Sequence, residues 1–153
     1  CHWNHERRHD QRDRGGDVQV RRVLNVCLPR HRERNDQRMQ GINMHADFAK
    51  INVNFWITPN AACEDNTTGG MVVYDVPAPS SWTFADYNTD QSKMQAFLKA
   101  HGAKSMRVPY RENRCVLFDS SLIHITDELH FKPGYENRRV NVTLLYGRAR
   151  SYG

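Results

Sequence analysis

Apolar and polar residues alternate along several short stretches of this 153-residue chain, and a period of two is typical of β-strands. The clearest case is 49–59, where every second residue from Ile51 to Ile57 is apolar and Pro59 ends the pattern. Further strands are predicted at residues 18–28, 71–76, 114–118 and 137–147. The pattern therefore predicts a strand-rich chain.

Helical spacing occurs in one clear stretch, which carries an apolar stripe from Met94 to Leu98. Asn88 and Gln91 resemble a capping pair at its start, and Gly102 stands where a helix commonly ends. The stripe is predicted to pack in the core. Because the strands do not alternate regularly with helices, the pattern favours an all-β jelly roll with one or two helices over a doubly wound sheet.

Residues 1–40 differ in composition from the rest of the chain. They contain ten Arg and no Lys against six acidic residues, whereas residues 41–153 contain twelve basic and eleven acidic residues. So few apolar side chains bury too little surface to offset chain entropy, and we expect this segment to be poorly ordered apart from the strand at 18–28. A misread stretch of coding sequence is a further hypothesis for it. The folded domain is predicted at 41–153, short of strands on its N-terminal side.

The charge distribution argues against a nucleic-acid partner. Most of the net charge of +5 comes from residues 1–40, so the remaining chain offers no basic groove for phosphates. No apolar run approaches the roughly 18 to 20 residues that cross a bilayer. We therefore predict a soluble protein without a membrane partner, with the cytoplasm as its default location. The four cysteines form no CxxC pair and are predicted to be free thiols, with Cys115 in the core.

Two short motifs carry the candidate chemistry. His45 and Asp47 are two residues apart, so their side chains project from the same face of an extended segment. An imidazole nitrogen and a carboxylate oxygen form a mixed donor set that suits a divalent transition metal. A third ligand is predicted at His124, which follows a short apolar run. Farther along, the last predicted strand opens with Arg138 and Arg139.

This order of motifs, an HxD pair, a distant His and an Arg at the head of a strand, resembles the Fe(II)- and 2-oxoglutarate-dependent oxygenases over residues 41–147. Residues 69–74 and 116–120 resemble the prolyl-hydroxylase-like branch of that family. The resemblance implies a double-stranded β-helix in which His45, Asp47 and His124 bind Fe(II), with 2-oxoglutarate and O2 as cosubstrates. It also implies hydroxylation of an unactivated C–H bond in a peptidyl or small-molecule substrate, with release of succinate and CO2.

The resemblance further implies that a strand arginine binds the far carboxylate of 2-oxoglutarate, since a guanidinium pairs bidentately with a carboxylate. Arg138 and Arg139 point to opposite faces of a strand, so only one of them enters the barrel. We favour Arg139, because Arg139-Val140-Asn141 resembles the family's Arg-x-Ser or Arg-x-Asn strand. This choice places Asn141 and Thr143 on the same face and makes Asn141 a further cofactor-binding candidate. Arg138 remains the alternative.

Two other interpretations compete with an oxygenase. A cupin-like protein would also be a metal-binding β-barrel, but cupins usually carry an HxH pair with a Glu and a further His. A non-catalytic module would keep the barrel without iron or cosubstrate. Two further histidines are weaker ligand candidates, because His130 falls in a predicted turn and His101 at a predicted helix end.

Overall fold

The computed structural model describes residues 20–26 and 41–147. This part of the chain is mostly β-structure, which confirms the predicted all-β class with one or two helices. Its strands are β1 (Val20–Val26), β2 (Ile51–Trp56), β3 (Met71–Pro77), β4 (Ser105–Val108), β5 (Cys115–Asp119), β6 (Leu122–Thr126) and β7 (Val140–Tyr146), and its helices are α1 (Phe84–Asn88) and α2 (Gln91–Ala100). Apart from β1, the segment predicted to be poorly ordered lies outside the described residues.

The strands form two antiparallel sheets. The first has the order β1-β7-β2-β5, and the second has the order β4-β3-β6. β7 and β2 therefore lie side by side in the middle of the first sheet, where each is paired on both edges. This central position fixes the side chains of both strands, because a register slip would cost hydrogen bonds on two sides.

β2 directs its polar side chains inward. Asn52 and Asn54 are 1% and 7% exposed, whereas Ile51 and Phe55 on the opposite face are 46% and 38% exposed. A strand normally buries its apolar face, since apolar burial is the main favourable term in folding. The interior next to β2 is therefore built to hold polar groups.

The neighbouring strand β5 also directs apolar side chains outward. Leu117 is 64% exposed, and Cys115 is exposed on the same face. The prediction that Cys115 lies in the core is therefore wrong. The apolar run around it does not reveal the face, because Val116 and Phe118 are the residues that pack toward the interior cluster.

Two apolar clusters form the core of the described residues. One cluster lies under α2 and combines Met94 and Leu98 with Met44 and Ile123. The other consists of buried residues from β2, β3 and the loops around them, namely Trp56, Ala62, Met71, Tyr110, Leu129 and Phe131. Complete burial of one such large apolar side chain is worth about 1.5–3 kcal/mol.

The helix predicted from Asn88 is confirmed as α2, although its start is different. Asp90 is the N-cap, and its side chain accepts a hydrogen bond from the Lys93 N–H at 3.0 Å. Asn88 instead ends the separate helix α1, which the apolar pattern did not predict. Gly102 follows the end of α2 with a φ of 57°, in the left-handed region that glycine tolerates best.

Among the described residues, no helix combines the length and apolar character that a membrane crossing requires.

Candidate metal centre

The segment that carries the HxD pair runs antiparallel to β6. His45 and His124 exchange two backbone hydrogen bonds, with N···O distances of 2.9 and 2.8 Å. The Asp47 N–H then donates to the Ser120 carbonyl at 2.9 Å, after which the chain enters β2. This pairing places two residues that are far from His124 in the sequence directly beside it.

The three predicted ligands converge in space. One potential ligand atom from each of His45, Asp47 and His124 lies within 4.8 Å of the others. Nε2 of His124 is 3.5 Å from Oδ2 of Asp47, and the two imidazole rings have their centroids 4.2 Å apart. His124 is buried, whereas His45 and Asp47 are half-buried.

Backbone carbonyls set the orientation of both imidazole rings. Nδ1 of His45 lies 2.7 Å from the Asn43 oxygen, and Nδ1 of His124 lies 2.8 Å from the Leu122 oxygen. A carbonyl oxygen only accepts hydrogen bonds, so each Nδ1 carries a proton and donates it. Nε2 is therefore the ring atom left to bind a proton or a metal ion, and a bonded Nδ1 is the usual support of a metal-binding histidine.

The surroundings favour the protonation states that bind metal. Burial, followed by the proximity of His124, lowers the pKa of His45 to about 4, despite the opposing charge of Asp47. Burial raises the pKa of the Asp47 carboxyl, but hydrogen bonds from His124 and Asn52 and the charges of both histidines outweigh it and lower that pKa below its usual value. At neutral pH the cluster therefore offers a neutral His45 and an ionised Asp47.

This donor set fits a divalent transition metal. Two imidazole nitrogens and one carboxylate oxygen lie within 4.8 Å of one another, and this combination would leave further coordination positions of a bound metal for other ligands. A carboxylate beside two imidazoles also supplies the negative charge that a dication requires. Among the described residues, no other three His, Cys, Asp or Glu side chains bring their potential ligand atoms this close together.

Arg139 is the buried member of the arginine pair, with 3% exposure. Its Nε and a terminal nitrogen donate to the carbonyls of Gly69 and Gly70 at 2.7 and 3.2 Å, and the other terminal nitrogen donates to Oδ1 of Asn141 at 2.8 Å. The guanidinium also lies 5.6 Å from the ring centre of Trp56. These contacts hold a planar cation in one orientation inside the protein.

Arg138 takes the opposite direction and stacks on Tyr135, which is 79% exposed. Two more histidines also lie apart from the cluster of His45, Asp47 and His124. His101 uses its Nδ1 at the end of α2, 2.8 Å from the Phe97 oxygen, and His130 pairs with Glu128.

The local structure explains why glycine occupies both positions 69 and 70. Gly69 has a φ of 75°, and a Cβ on Gly70 would lie 1.9 Å from the Val108 oxygen. Both positions therefore require glycine, and their backbone carbonyls accept hydrogen bonds from Arg139. The sequence showed the Gly-Gly pair but not this role.

Asn52 also belongs to the site, although the apolar pattern did not predict it. Its Nδ2 donates to Oδ2 of Asp47 at 2.6 Å. The available signal was the pair of asparagines at alternate positions of a strand interior, where asparagine is depleted.

A comparison with protein-family models finds no match, and a comparison with curated proteins finds no significant match.

Proposed function

We propose that this protein is an Fe(II)- and 2-oxoglutarate-dependent dioxygenase built on a double-stranded β-helix. The observation that carries the proposal is the cluster of His45, Asp47 and His124, with both Nε2 atoms available and the Nδ1 atoms bonded to the backbone. Two antiparallel sheets, the first of which buries polar side chains of β2 and β7, are compatible with such a barrel. In this proposal the three residues hold Fe(II).

Arg139 supports the second half of the proposal. Its guanidinium is buried and held in a fixed plane, which suits bidentate pairing with the distal carboxylate of a dicarboxylic acid such as 2-oxoglutarate. Asn141 accepts a hydrogen bond from the guanidinium and so holds one side of it. Bound iron with 2-oxoglutarate and O2 would supply the oxidation of an unactivated C–H bond, with release of succinate and CO2.

The substrate of this proposal is a peptidyl or small-molecule compound with an apolar part. Phe48, next to Asp47 in the chain, is 58% exposed, and Phe84 on α1 is 63% exposed. Tyr87 joins these residues to the site, because its ring contacts Phe84 and its carbonyl accepts the N–H of Ala46 at 2.9 Å. Exposed aromatic side chains beside a reactive centre are suited to bind apolar substrate groups.

An anaerobic titration tests the cofactor chemistry. Apoprotein is mixed with Fe(II) and then with 2-oxoglutarate, while the visible charge-transfer absorption of the chelated complex is followed. We expect a band in the wild type and none in His45→Ala, Asp47→Ala or His124→Ala, because each variant loses one of only three protein ligands. His130→Ala is the matched control, since His130 lies outside the cluster.

Two outcomes would count against the proposal. Folded wild-type protein that gives no band with Fe(II) and 2-oxoglutarate would favour a non-catalytic barrel. Metal binding without any effect of 2-oxoglutarate would favour a cupin-like metal protein instead.

A further inference from the structure

A continuous chain of buried polar side chains links the metal cluster to Arg139. We call it the asparagine ladder, and it consists of Asn52, Asn54, Asn141 and Thr143, each at most 7% exposed. Asn54 donates to Oδ1 of Asn52, and its own Oδ1 accepts from Asn141 at 2.9 Å and from Thr143 at 2.8 Å. Asn52 and Asn54 lie on β2, and the other two lie on the adjacent strand β7.

The charged groups at the two ends determine the direction of every amide. Ionised Asp47 only accepts hydrogen bonds, so Asn52 must present its NH2 group to it and its oxygen to Asn54. Arg139 only donates, so Asn141 must present its oxygen to the guanidinium and its NH2 group to Asn54. Both ends require the same set of orientations, which leaves the ladder with one consistent arrangement.

We propose that Asn52 is a positioning residue that holds the Asp47 carboxylate in its metal-binding orientation. This inference rests on the proposed metal site. The terminal torsion of an aspartate is broad, so a carboxylate without a fixed partner rotates readily. Asn52 donates at 2.6 Å to the same oxygen that lies 3.5 Å from Nε2 of His124, and it thereby fixes the plane of the carboxylate between the two groups.

Asn54 supports this role of Asn52 through a further hydrogen bond. It binds the Asn52 oxygen and so prevents the amide from turning its acceptor toward Asp47. The ladder ends at Arg139, whose position does not depend on Asn52 alone, because Gly69 and Gly70 also accept its hydrogen bonds. A change at Asn52 is therefore expected to act mainly at the metal end.

Binding of Co(II) alone, followed by its visible absorption, tests the inference without any turnover. Asn52→Leu keeps the side-chain volume and removes the donor, and we expect 10- to 100-fold weaker Co(II) binding with an altered spectrum, as for other partners that orient metal ligands. Asn54→Leu, which leaves Asn52 in place but unsupported, is expected to weaken binding less. The thermal midpoint of each apoprotein is measured in parallel.

Thr58→Val is the matched control. Thr58 is a buried polar residue on the same face of the same strand extension, and it bonds Arg138 and Val140 rather than the ladder. It is expected to lower the thermal midpoint and leave Co(II) affinity unchanged.

The possible outcomes distinguish failure of the proposed metal site from failure of the positioning role of Asn52. Wild-type protein that binds no Co(II) would overturn both the metal site and the role of Asn52. Tight binding in the wild type with unchanged affinity and spectrum in folded Asn52→Leu would overturn the positioning role and leave the metal site intact. If Asn52→Leu does not fold, unchanged affinity and spectrum in folded Asn54→Leu would overturn it in the same way.

Discussion

At the scale of single residues, Gly70 connects packing to the candidate site. A side chain there would meet the Val108 carbonyl and the Trp56 ring, and the Gly70 carbonyl accepts a hydrogen bond from Arg139. Gly102 provides a contrast, because it has a left-handed φ of 57° but nothing lies within 4 Å of its missing Cβ. Gly70 is thus required because a side chain would not fit there, and Gly102 because of its backbone conformation alone.

Gly70→Ala is expected to cost about 1–3 kcal/mol of unfolding free energy, because overpacking forces the backbone to shift. The shift moves an acceptor of Arg139, so we also expect weaker 2-oxoglutarate binding. Urea unfolding measures the first effect and the charge-transfer titration the second. Gly102→Ala is the control, with a strain of about 1–2 kcal/mol and an unchanged titration. Equal effects of both variants on 2-oxoglutarate binding would contradict this assignment.

Arg139→Lys separates charge from geometry. Lysine keeps the positive charge but lacks the planar fork, so we expect 2-oxoglutarate to bind about 10- to 100-fold more weakly while Fe(II) binding persists, in line with the loss of one charged hydrogen bond. The dissociation constant comes from the same absorption band. Arg138→Lys, which alters a residue stacked on exposed Tyr135, should behave like the wild type.

The sequence predicts some of these residues and not others for a physical reason. The spacing of His45 and Asp47 is local, and extended geometry alone puts them on one face. Asn52 and Asn54 could not be found in the same way, because hydrophobicity favours burial of Ile51 and Phe55 instead. Asn54 is held inward by Asn141 and Thr143 of the distant strand β7, and no local pattern contains this pairing.

At the scale of elements, the short helix α1 is hydrogen-bonded to the chain between His45 and Asp47. Thr83 and Asp86 form a capping box at its start, and its residue Tyr87 accepts the N–H of Ala46 at 2.9 Å. The sequence pattern Thr-x-x-Asp was the available signal for this helix, but five residues are too few to show an apolar stripe.

Thr83→Ala is expected to loosen α1, since an N-cap residue contributes about 1 kcal/mol. The Ala46 amide should then exchange its hydrogen faster, which NMR hydrogen exchange measures. Asp65→Ala is the control, because Asp65 forms a turn with Thr67 elsewhere on the surface. Unchanged protection of the Ala46 amide in Thr83→Ala would contradict the coupling.

The capping box of Thr83 and Asp86 predicts that the stability of α1 depends on pH. Hydrogen bonds from Lys93 and Thr83 lower the pKa of Asp86 from 3.8 to about 2. A carboxylate whose pKa is lower in the folded than in the unfolded chain stabilises the fold when it is ionised. The stabilisation by Asp86 is therefore complete above pH 3.8, the pKa of the unfolded chain, and is lost as the pH falls toward 2. The Tyr87 amide of α1, which donates to the Thr83 carbonyl, should lose protection over that interval, and Asp86→Asn should remove this dependence.

At the scale of the whole molecule, β1 determines whether β7 has a free edge. The two strands pair over seven residues, from Val20 opposite Tyr146 to Val26 opposite Val140. β7 carries the buried face that leads from Arg139 to Thr143. An unpaired strand edge exposes N–H and C=O groups that pair readily with other chains.

Removal of residues 1–27 should therefore lower the thermal midpoint and promote association, because it deletes β1 and uncovers β7. Size-exclusion chromatography with light scattering measures the association. Removal of residues 1–19 keeps β1 and serves as the control. A shorter chain without β1 that remained monomeric and equally stable would show that β7 does not depend on this partner.

The inward asparagines of β2 also affect how the chain finds its fold. A slip of β2 by one residue would bring Ile51 and Phe55 inward, but it would turn the fully buried Trp56 outward together with both asparagines. The burial of Trp56 and the hydrogen bonds that end at Asp47 and Arg139 therefore both favour the native register. The residues proposed to bind metal and cosubstrate therefore also help to select the register of β2. Substitutions at them should be measured by refolding yield as well as by binding.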